Sequence, residues 1–94
     1  MTTLEIAHVR EQGIDMIIVP LDRSFHHKTS PQQNAARNEI QVRANSAGLR
    51  GSVALVWDAG GGRMGFLAPP NWVNFFRSIN LGWVFANLNR ELSW

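Results

Sequence analysis

The stretch Ile14-Asp15-Met16-Ile17-Ile18-Val19 is apolar at five of its six positions, and it constrains the fold more than any other feature of the chain. A strand that is greasy on both faces has to be covered on both sides or lie centrally in its sheet. Pro20 closes it, since proline cannot donate the next ladder hydrogen bond. Residues 3–10 form the strand before it, with Leu4, Ile6 and His8 on one face and Glu5, Ala7 and Val9 on the other. Glu11-Gln12-Gly13 joins the two, and its glycine suits the positive φ of a tight hairpin turn.

The second half repeats the scheme. Ser52-Val-Ala-Leu-Val-Trp57 and Arg63-Met-Gly-Phe-Leu-Ala68 read as a hairpin around Asp58-Ala-Gly-Gly-Gly62, ended by Pro69-Pro70. Between the hairpins, Thr29-Ser30-Pro31-Gln32-Gln33 predicts a helix start, with Ser30 as cap and Gln33 completing a capping box. Gly48 suits the left-handed position that ends such a helix, with Leu49 as its apolar follower. Ala36, Ile40, Ala44 and Ala47 form a narrow stripe that lets this helix lie close to a sheet, flanked by Arg37 and Arg43.

The closing segment holds a conflict. After Asn71 as a candidate cap, Trp72, Phe76, Ile79 and Trp83 fall on one helical stripe, and Leu81, Phe85, Leu88 and Leu92 on another. In a straight helix the two stripes point about 180° apart, so one sheet cannot bury both. Either the chain breaks or kinks near Gly82, around Asn80-Leu81-Gly82, so that both stripes meet one core, or it is continuous and Leu81, Phe85, Leu88 and Leu92 dock on a second copy as a homodimer. Arg77, Asn80, Asn87, Asn89 and Arg90 oppose membrane insertion of this segment.

These elements predict an α+β fold over residues 1–94, a single domain of order ββαββα. The architecture expected is a two-layer sandwich in which a four-stranded, mostly antiparallel sheet carries both helices on one face, or one on each if it is covered twice. With 94 residues and 45% of them apolar, the chain can bury one modest core and no more. The absence of cysteine removes disulfides, thiolate chemistry and cysteine-based zinc sites. No basic stretch followed by an apolar run marks the first residues, which suits a cytoplasmic protein.

The pI of about 10.5 overstates the basic character, because the formal net charge is only +2 and neither Cys nor Tyr buffers the alkaline range. Its distribution is more telling. Residues 23–50 carry Arg23, Lys28, Arg37, Arg43 and Arg50 against Glu39 alone, a net of +4, so an anionic partner should meet that stretch. The loop from Asp22 to Ser30 sets Arg23, His26, His27, Lys28 and Thr29 before a helix N-terminus, where free N–H groups and the helix dipole favour a phosphate or nucleic acid. Arg37 and Arg43 extend that site if they share its face. The plainer alternative is a solvated polar loop whose cap is busy with the helix.

Four other readings are weaker. His26 or His27 could act as acid or base on a phosphorylated or carboxylate substrate, with Asp22 orienting one ring, which would make the chain a small enzyme. A metal site is not expected, because adjacent histidines diverge and His8 sits on a strand. Gly60-Gly-Gly62-Arg-Met-Gly65 spells a dinucleotide fingerprint, but a strand rather than a helix follows it, so no cofactor is expected. Trp57 and Phe66 could stack on bases, although strand aromatics ordinarily fill a core. The sequence as a whole is that of a small binding or interaction module, self-associating through its last helix and accepting an anion near residue 28.

Overall fold

The computed structural model describes residues 3–11 and 13–93; Gln12, the middle of the first predicted turn, lies outside them. Strand β1 (Thr3–Glu11) and strand β2 (Ile14–Pro20) form the first hairpin, and helix α1 (Ser30–Ser46) leads from it to β3 (Ser52–Gly60) and β4 (Arg63–Leu67). Two short helices follow, α2 (Val73–Ser78) and α3 (Leu81–Ala86), and then a strand β5 (Arg90–Ser93). All five strands join one mixed sheet in the order β4-β3-β2-β1-β5. Its centre is the parallel pair β2–β3, with antiparallel neighbours outside it.

The α+β class and both hairpins agree with the sequence. The sheet has five strands rather than four, and of the two arrangements expected it takes the one covered on both faces. On one face Ile6, Ile17, Val19, Val53, Leu55, Trp57 and Leu92 pack with Ile40 and Ala44 of α1. On the other, Ala7, Met16, Ile18, Ala54 and Val56 pack with Trp72, Phe76 and Val84. The greasy run in β2 thus has its cause: Met16, Ile17, Ile18 and Val19 are fully buried, alternating between the two cores.

The cap of helix α1 lies one residue earlier than the capping motif suggested. Thr29, not Ser30, is the cap: its Oγ1 accepts from the Gln32 N–H at 3.3 Å, and the Gln32 side chain accepts from the Thr29 N–H at 3.0 Å. Gln33 is thereby released, and its amide donates to the Phe25 carbonyl at 3.2 Å. The far end follows the expected glycine motif. Gly48 has φ +82, its N–H donates to the Asn45 carbonyl, and the Leu49 N–H donates to that of Ala44, each at 3.0 Å.

The closing segment is not one straight helix: it breaks beside Asn80, at the edge of the stretch 80–82 where a break was expected. A 3-10 turn (Pro70–Trp72) precedes α2, so Asn71 caps nothing, and the break between helices falls at Ile79 and Asn80. Ile79 ends one helix and Asn80 starts the next, its side chain accepting from the Trp83 N–H at 2.8 Å. Gly82 lies inside α3. The first stripe, Trp72, Phe76, Ile79 and Trp83, packs on the sheet as read. The second does not exist as a surface: Leu81 and Leu88 are half-buried on that same core, Leu92 is buried in β5 against the opposite core, and Phe85 alone is 57% exposed. No helix among the described residues is long and apolar enough to cross a membrane.

Two side-chain amides finish the sheet where its strands run out. β4 pairs with β3 only as far as Leu67 opposite Leu55, and the next outward-facing residue of β3 is Val53. There the Gln41 amide takes the place of a strand: it accepts from the Val53 N–H at 2.8 Å and donates to the Gly51 carbonyl at 3.0 Å. Arg37 Nε–H donates to the Val53 carbonyl at 2.9 Å. Asn89 does the same for β1 beyond β5, accepting from the His8 N–H at 2.8 Å and donating to the His8 carbonyl at 2.9 Å. Replacing Gln41 by Glu should therefore set a carboxylate oxygen against the Gly51 carbonyl. A stability loss of about 1–3 kcal/mol in urea unfolding is expected, whereas Val42→Gln, at the exposed neighbouring position, should be close to neutral.

Candidate anion-binding site

The chain leaves β2 at Pro20, makes a 3-10 turn (Arg23–His27) and begins α1. This turn therefore lies past the carboxyl end of a parallel strand pair, the position at which open α/β sheets place their ligands. Phe25 anchors it. Its ring is 5% exposed and packs 5.1 Å from that of Trp57 on β3.

Trp57 supplies a second anchor. Its indole N–H donates to His26 Nδ1 at 3.1 Å, which requires that nitrogen to be unprotonated and places the proton of neutral His26 on Nε2. Gly65 makes the contact possible, because it faces Trp57 across the β3–β4 ladder and a Cβ there would overlap the indole nitrogen. The His27 ring stands nearly perpendicular to that of His26, with centroids 5.8 Å apart. Asp22 orients neither imidazole; its carboxylate accepts from the Ser24 hydroxyl at 3.0 Å.

Arg23, His26, His27, Lys28 and Thr29 are all exposed on this turn. The helix end offers less than its sequence suggested. Thr29 is committed to its capping box, Pro31 has no N–H and that of Gln32 is taken, which leaves only Ser30 among the first three helical positions. Arg37 and Arg43 do not join the turn. By the rise of an α-helix they lie about 10 Å and about 20 Å beyond Ser30, and Arg37 is bound to β3.

His8 is a half-buried structural residue, its Nε2 lying 2.8 Å from the Arg50 carbonyl. No group of three His, Cys, Asp or Glu able to hold a metal occurs among the described residues. Trp57 and Phe66 serve the two cores, Phe66 stacking on Phe76 at 5.5 Å. Sequence reasoning missed Trp57 as the partner of His26. The available signal was an aromatic residue followed by a glycine on the strand that returns beside it.

Gly65→Ala should push the indole aside, release His26 and cost about 1–3 kcal/mol in thermal or urea unfolding. In ¹⁵N-correlated imidazole spectra the His26 ring should then lose its single tautomer, while His8 stays unchanged. The chain matches no family model, no curated protein and no solved structure.

Proposed function

We propose that the chain is a small binding module that takes a phosphate-bearing anion on the exposed turn at residues 23–29. One observation carries this reading: Arg23 and Lys28, beside His26 and His27, stand exposed on a turn pinned from below by Phe25 and Trp57. Neither Arg23 nor Lys28 is engaged in an ion pair among the described residues. A fixed backbone carrying unpaired cations loses little entropy when an anion binds.

The acid/base alternative draws on the fixed His26 tautomer alone. Three open grooves of about 310–400 Å³ among the described residues are lined by other side chains and include neither His26 nor His27. Docking of a second copy through Leu81, Phe85, Leu88 and Leu92 loses its premise, since Leu81 and Leu88 face one core and Leu92 the other.

Titration of the ¹⁵N-labelled protein with tripolyphosphate, and separately with a short single-stranded oligonucleotide, tests the proposal. Amide shifts should concentrate at residues 23–30, and affinity should fall steeply with added salt. Lys28→Glu should weaken binding about tenfold, the worth of one charge-assisted contact. Unmoved amides in this turn at low salt would reject the reading.

A further inference from the structure

A second polar feature lies away from the turn. Where β4 stops, the chain departs through Ala68, Pro69 and Pro70, and an open groove of about 310 Å³ is left between that departing segment and α1. Its lining is Asn34, Arg37, Leu67, Ala68, Pro69 and Pro70. Small-molecule pockets begin near this size.

The chemistry of the lining is lopsided. Arg37 is half-buried, and its Nε–H bond to the Val53 carbonyl holds the guanidinium in one orientation. That bond uses one of five N–H donors and leaves the two terminal nitrogens uncommitted. No carboxylate of the described residues pairs with them, and the Asn34 side chain makes no hydrogen bond there. Leu67, Ala68, Pro69 and Pro70 supply an apolar wall to the same groove, and the prolines have no N–H to offer. A positively charged, planar, two-donor edge shares the groove with an apolar surface.

Such a pairing selects a ligand with a flat two-oxygen anion at one end and an apolar body at the other. The terminal edge of a guanidinium matches a carboxylate in a bidentate manner. A phosphate dianion would leave most of its charge without donors against that wall. We propose that this groove binds a small organic monocarboxylate, its oxygens on the Arg37 guanidinium and its apolar body against residues 67–70. This site is separate from the turn at residues 23–29, and either can fail without the other.

The test is a titration of the ¹⁵N-labelled protein with benzoate, read at the amides of Asn34, Leu67 and Ala68 and at the Arg37 side-chain Nε–H. Benzamide, which keeps the ring and lacks the charge, and inorganic phosphate are the comparators. Benzoate should give saturable shifts at those positions, with benzamide at least about tenfold weaker and phosphate leaving them unmoved. Arg37 also holds β3, so the diagnostic variant is Asn34→Asp, at an exposed position, which offers the guanidinium an internal carboxylate. That variant should keep the dispersed spectrum of the folded chain and lose benzoate binding. Ala68→Leu, which narrows the groove without touching Arg37, should weaken it as well. Linear, unsaturated shifts into the tens of millimolar, or binding unchanged by both substitutions, would overturn the proposal.

Discussion

The parallel pairing of β2 with β3 is the constraint on which the rest of the molecule depends. Residues 16–19 and 53–56 are wholly buried, so both sides of this pair have to be roofed. A parallel connection needs a crossover, and α1 provides it while roofing one side. The other side is left to whatever follows β4, which is why the last third of the chain carries four of the large aromatics packed there: Trp72, Phe75, Phe76 and Trp83. The same crossover places a turn past the carboxyl end of β2, where Phe25 and Trp57 can pin it.

Edges pose the opposite problem, because an unpaired strand exposes N–H and C=O groups that need partners. In this sheet the strands next to each edge outrun the edge strands themselves. Pro69 falls where β4 would have to donate to the Val53 carbonyl, and it has no proton to give. Gln41 and Arg37 answer from the helix, and Asn89 answers for β1. Each amide presents a donor and an acceptor in the arrangement of a peptide group, which is why glutamine and asparagine serve and a carboxylate would not.

Much of this was legible. The apolar run in β2 and the capped, glycine-ended α1 are local signals that the structure carries within a residue, whereas β3 runs three residues into the second expected turn, to Gly60. β5 was not legible, since Arg90-Glu91-Leu92-Ser93 has a single inward apolar side chain and gains its conformation from pairing with β1. Leu92 continued a helical spacing by coincidence. The break fell at the Asn80 end of the expected stretch 80–82, because a capping side chain outweighed the mid-helix glycine two residues later. For the site, residues on one short turn could be grouped from sequence. The destinations of Arg37 and Arg43 could not, because they depend on where α1 lies over β3, and periodicity defines the buried face of a helix without fixing its position along a strand.

The pairing of Thr3 with Ser93 and of Leu4 with Leu92 brings together positions some ninety residues apart. Ribosomal synthesis runs in one direction, so the outer rim of β1 stays bare until β5 has left the exit tunnel. The two central strands and their crossover can assemble before that moment, and β5 then seals the edge of the sheet. Long-range closure of this kind slows folding. It also makes the sheet act like a buckle, in which removing β5 loosens β1.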